Sequence, residues 1–91
     1  MKLNLVGKDD IMIYPVFAIR DVKVGFMAPT VEQNAPAAIR NFEHAVLNSA
    51  SLMNSHPGDY DLYEIGSFDS DSAELEKTMP KHLISAAEVL R

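Results

Sequence analysis

A chain of 91 residues, 47% hydrophobic and 23% charged, is long enough for one domain around one apolar core and too apolar to stay disordered. It has no cysteine, which removes disulfides and thiolate metal sites, and no apolar run near the roughly 20 residues that span a bilayer. The formal charge of −5 disfavours nonspecific coating of a polyanion but permits a local basic cluster, because affinity for nucleic acid comes from individual Lys and Arg side chains at phosphates.

Residues 1–12 read as an N-terminal extension. Leu3 and Leu5 alternate with polar neighbours as in a short edge strand, and Gly7-Lys8-Asp9-Asp10 interrupts the apolar start too early for a signal peptide. A single domain is expected over 13–91. Its first strand is Ile13-Tyr14-Pro15-Val16-Phe17-Ala18-Ile19, apolar on both faces and rich in β-branched and aromatic residues. Pro15 has no N–H and belongs at the start of the strand or on an edge. Alternation in Arg20-Asp21-Val22-Lys23-Val24 predicts that the strand continues, with Val22 and Val24 on one face, until Gly25 ends it.

After a loop at Ala28-Pro29-Thr30, Asn34 can cap a helix whose first turn holds Pro36, where a missing N–H costs little. Ala35, Ala38, Ile39, Phe42, Ala45 and Val46 fall on one face at helical spacing, predicting a helix near 35–48 with Arg40, Asn41, Glu43 and His44 turned away. The Asn/Ser-rich stretch Asn48–Ser55 reads as a loop, and His56-Pro57-Gly58-Asp59 as a turn. Tyr60–Phe68 is the second strand. Asp69-Ser70-Asp71-Ser72 favours a turn, and Ala73–Thr78 alternates as a return strand, so residues 60–78 read as a hairpin. Thr78 and Pro80 then signal a last helix near 80–90, striped by Leu83, Ile84, Ala87 and Leu90. The order predicts an α+β fold: a small antiparallel sheet of three or four strands with two helices packed on one face. Strands apolar on both faces and an unpaired edge predict a homodimer.

Catalytic and metal-binding patterns are weak. Asp69, Asp71 and Glu74 have calcium-like spacing but lack the central glycine and terminal bidentate glutamate of a calcium loop, and a solvated turn explains them. His44, His56 and His82 show no i, i+4 pairing. The serines lie outside any nucleophile-elbow pattern and the glycines are too scattered for a phosphate loop. No enzyme, cofactor or metal is expected. The basic residues carry more information. Arg20, Lys23 and Arg40 stand near apolar segments that also hold Tyr14, Phe17, Phe26, Tyr60 and Tyr63, and phosphate contacts combined with aromatic stacking are how single strands of nucleic acid are held. The competing reading locks both arginines to carboxylates such as Asp21, Glu43 or Asp59 and buries the aromatics in the core.

Several segments together resemble a known family: Val16-Phe17-Ala18-Ile19-Arg20-Asp21, Ala37-Ala38-Ile39-Arg40-Asn41-Phe42, Ala45-Val46, Asn54-Ser55-His56-Pro57-Gly58-Asp59-Tyr60 and Leu62-Tyr63-Glu64-Ile65-Gly66-Ser67-Phe68-Asp69. Their order is similar to that of the small nonstructural protein of gokushovirus-type microviruses, bacteriophages with single-stranded DNA genomes. The resemblance runs from about Tyr14 to Asp69. It implies a nonstructural accessory protein in the cytoplasm of the infected bacterial host, acting in single-stranded DNA genome replication or packaging, with no membrane role. It implies no catalytic residues. Arg20 and Arg40 lie in the segments that carry it, and the nucleic-acid-binding set expected is Arg20, Lys23, Arg40, Tyr14 and Tyr63. The rival is an adaptor that binds a viral or host replication protein and never touches DNA.

Overall fold

The computed structural model describes residues 12–91, so the edge strand expected within residues 1–12 lies outside the described residues. In chain order the elements are β1 (Ile13–Asp21), β2 (Gly25–Phe26), β3 (Thr30–Val31), α1 (Ala35–Leu47), α2 (Leu52–Ser55), a turn of 3-10 helix (Pro57–Asp59), β4 (Tyr60–Asp69), β5 (Leu75–Ser85) and α3 (Ala86–Val89). The strands form one antiparallel sheet in the order β2-β1-β4-β5, with β3 also pairing with β1. The α+β class holds, with five strands in place of three or four; β2 and β3 are two residues each.

Local chemistry sets the first helix. The Asn34 carboxamide oxygen accepts the Ala37 N–H at 2.8 Å, and Pro36 occupies the first turn. Ala38, Phe42 and Val46 form the buried stripe. They meet Phe17, Tyr60 and Leu62 from the sheet and Ala86 from α3 in one core, with Ile19, Leu83 and Ile84 packed at its margin. Phe17 and Val46 are fully buried. The segment after α1 holds a short helix where a loop was expected. Ser51 caps α2 by accepting the Asn54 N–H at 3.1 Å, and the Asn54 side chain donates to the Val46 carbonyl at 3.0 Å, closing the end of α1.

Two larger expectations are also overturned. The first strand stops at Asp21 and does not run on to Val24. The Asp21 carboxylate accepts the Lys23 N–H at 2.9 Å, its carbonyl accepts the Val24 N–H at 3.0 Å, and the Val22 N–H donates to the Asp59 carbonyl at 2.9 Å. Gly25 then takes φ +126°, a conformation open to glycine and strained for other residues, and the chain returns as β2. Val22 and Val24 are consequently exposed in a turn.

The last helix near 80–90 is also wrong. Strand β5 continues through Pro80 to Ser85, pairing Lys81 with Glu64, His82 with Tyr63 and Ile84 with Leu62. Between Lys77 and Lys81, residues 78–80 stand opposite Ile65 alone, so Pro80 sits in an irregular stretch. Proline is tolerated at such bulges because the ladder is already interrupted there. Tertiary pairing overrides the helix signal, and only the single turn of α3 remains, where Glu88 accepts the Ser85 N–H at 2.7 Å.

The register separates two faces. On β1, Ile19 packs against the helical core, and strand alternation puts Tyr14, Val16, Ala18 and Arg20 on the opposite face. Cross-strand partners extend that open face: Phe26 beside Arg20, Tyr63 beside Ala18, His82 beside Tyr63, and Lys77 beside Gly66 and Val16. Asp21, Glu64, Asp69 and Glu76 fall in register with the core side, facing Tyr60, Phe17, Ile13 and Ser67 respectively. Gly66 marks a close approach of β4 and β5, since a Cβ there would collide with the Glu76 carbonyl.

Candidate nucleic-acid interface

Three rings cross the open face from β2 to β5. Phe26 and Tyr63 meet edge-to-face with centroids 5.3 Å apart, and Tyr63 meets His82 in the same way at 5.3 Å. The Arg20 guanidinium lies 5.9 Å from the Phe26 ring centre, within cation–π range. The sheet positions all four, because Arg20–Phe26 and Tyr63–His82 are cross-strand partners on adjacent strands.

His82 is oriented from behind. Its Nε2 lies 2.9 Å from Asp61 Oδ1, the same oxygen accepts the Ser85 hydroxyl at 2.6 Å, and Ser85 Oγ is 3.3 Å from Nε2. A nucleophilic relay needs the carboxylate and the hydroxyl on opposite ring nitrogens. Here both crowd one nitrogen and Ser85 gives its proton to the carboxylate, so the cluster ties β4 to the end of β5 and fixes the ring. The acidic turn is similarly self-occupied. Asp69 Oδ1 accepts the N–H groups of Asp71 at 2.8 Å and Ser72 at 3.3 Å, and Ala73 adopts φ 65°. Among the described residues no three His, Asp or Glu side chains gather as a metal site.

The structure brings together part of the expected binding set. Arg20 and Tyr63 share the aromatic row, and Tyr14 lies on the same face by alternation, near the far end of β1. Lys23 stands exposed in the turn after Asp21, so the chain bends where the strand reading placed it on a straight run. Arg40 is exposed on α1, and the sheet separates it from the row. Among the described residues the one contact at salt-bridge distance is His82–Asp61, and no carboxylate of these residues pairs with Arg20 or Arg40. Phe26, named among the candidate aromatics but left out of the expected set, enters the row, and so does His82, which had no binding role. For His82 the only sequence signal was its distance from Tyr63, and that is informative only once residues 80–85 are read as strand.

On the core side, Tyr60 is the titratable group with a displaced proton affinity. Burial, together with Asp21, to which its phenol hydrogen-bonds, and Asp59 push its pKa above the usual 10.0. Tyr60 stands at the β1–β4 end of the sheet, in register with Asp21.

A family model described as Phage ORF5 protein matches residues 14–89. No curated protein and no solved structure matches the chain.

Proposed function

The chain belongs to the Phage ORF5 protein family, and from that premise we propose a phage accessory protein of the microvirus type that binds single-stranded DNA during genome replication or packaging in the host cytoplasm. The observation that carries this reading is the row Phe26, Tyr63 and His82, flanked by Arg20, on the sheet face that α1 leaves uncovered. Aromatic faces accept unstacked bases of any sequence, and adjacent cations neutralise phosphates. The charge of −5 is a sum over the whole chain and does not decide the character of one face. By register Arg20 and Lys77 lie on the open face, whereas Asp21, Glu64, Asp69, Glu76 and Lys81 lie on the other. Asp61 is the exception, and its carboxylate is engaged by His82 and Ser85.

A salt-dependent anisotropy titration of a labelled single-stranded oligonucleotide tests the reading. The wild type should show a negative log–log slope, and Arg20→Ala should flatten it by about one unit with the melting temperature retained. Arg40→Ala, across the sheet, should leave the slope unchanged. No binding even at low salt would overturn the DNA reading in favour of the adaptor. The adaptor has its own support in Leu75 and Met79, which are 68% and 86% exposed on the edge strand β5. A homodimer through that edge must contend with Pro80 and the irregular stretch around it, features that blunt edge pairing. Among the described residues no helix is long and apolar enough to cross a membrane.

A further inference from the structure

Beside the aromatic row the open face holds a groove of about 380 Å³, in the size range of small-molecule clefts (about 300–1,000 Å³). Val16, Phe26, Pro29, Ile65, Leu75 and Pro80 supply its apolar lining, and Glu76 and Lys77 also line it. The irregular pairing of β4 with β5 creates it, by displacing residues 78–80 from the ladder and bringing Ile65 and Pro80 to the same depression.

We propose that this groove takes one unstacked nucleobase of the bound single strand and favours thymine, whose C5-methyl it buries. The inference rests on the DNA reading above and adds to it a base preference. Three observations support it. Phe26 belongs to both the aromatic row and the groove, so a strand lying over the row passes the groove mouth. Lys77 lines the groove beside Glu76 and Arg20 flanks the adjoining aromatic row, so two cations stand along this face for the phosphates of a polyanion. The lining offers carbon and almost no donors or acceptors, so a base edge finds no partner there and discrimination falls to apolar contact. The thymine methyl is the group that apolar side chains read.

Decamers of thymidine and deoxyuridine differ only in that methyl group and make the test. Wild-type protein should bind the thymidine decamer about fourfold more tightly, the ratio expected for burying one methyl. Leu75→Asn should bring the ratio close to one while the salt slope and melting temperature stay unchanged, since Leu75 is 68% exposed. Equal affinities in the wild type, with binding intact, would overturn the groove proposal and leave the DNA reading standing. Failure to bind either decamer would overturn both. A ratio unaffected by Leu75→Asn, or a wild-type dimer in sedimentation that Leu75→Asn dissociates, would give the groove to another occupant and overturn the proposal.

Discussion

On the α1 side of the sheet, Phe17 and Leu62 disappear beneath Phe42 and Val46; one residue further along the same strands, Ala18 and Tyr63 face the other way, toward a surface that no helix of the described residues covers. The two faces share every backbone hydrogen bond of the ladder. They differ in what their side chains satisfy. Core-side residues gain by leaving water, so that face is closed and its apolar packing holds the fold together. Open-face residues contact one another edge-to-face and keep polar or cationic tips exposed, which leaves surface available to a ligand. On the proposed reading, stability and recognition lie on opposite sides of one sheet, and variants on the two sides should fail in different ways.

The largest effect is expected on the closed face. Phe42 is buried at the centre of the α1 stripe, and Phe42→Ala should cost about 3–5 kcal/mol. Against a margin of roughly 5–10 kcal/mol for a domain of this kind, that is a large share of stability. Thermal denaturation by circular dichroism would show it directly. An unchanged melting temperature would mean that α1 does not supply the core and that the closed face has been assigned wrongly.

Gly66 tests the backbone that both faces share. Gly66→Ala drives a methyl group into the Glu76 carbonyl, and relieving the overlap must push β5 away from β4. Overpacking of this sort costs about 1–3 kcal/mol. Denaturant melts should report that loss, and the Tyr63–His82 pairing should loosen with it, because both rings depend on the same two strands. A variant as stable as the wild type would show that the strands yield at no cost.

Tyr63→Ala probes the open face. If its ring stacks on a base, affinity for single-stranded DNA should fall by about 1–3 kcal/mol. Its structural contribution is the two edge-to-face contacts, each worth about 0.5–1.5 kcal/mol, so the melting temperature should drop less than in Phe42→Ala. Comparable loss of stability in the two variants would erase the distinction between the faces.

Much of the closed face was legible in the sequence because its signals are local. Asn34, Pro36 and the 3.6-residue stripe through Phe42 define α1, and the alternating, aromatic-rich segments define β1 and β4. The open face depends on register, which one sequence does not display. Helix signals at Thr78 and Pro80 hid the second half of β5, so His82 was placed on a helix when it in fact completes the aromatic row. Likewise the alternation of Val22 and Val24 imitates a strand, while the Asp21 side chain and the positive φ of Gly25 impose a turn. Arg20 and Tyr63 were nameable as binding candidates from residue type, but their shared face became visible only through the pairing of β1 with β4.

The smallest effect expected belongs to Tyr60, at the edge of the closed face. Burial and the negative charges of Asp21 and Asp59 disfavour its phenolate, so its folded pKa lies above the unfolded value of 10.0. The folded state therefore holds this proton more tightly than the unfolded state does. The resulting contribution to stability is complete below pH 10.0 and is lost as pH rises through the folded value. Tyr60→Phe keeps the ring and removes the titration. The melting-temperature difference between wild type and variant should be constant from neutral pH to about 10, then shift against the wild type at higher pH, where the phenolate would form between two carboxylates. Subtracting the variant's phenolate absorbance titration from the wild type's should leave a component centred above 10. Parallel stability curves across that range would show that Asp21 and Asp59 exert no pull on this proton, and that Tyr60 serves the core through its ring alone.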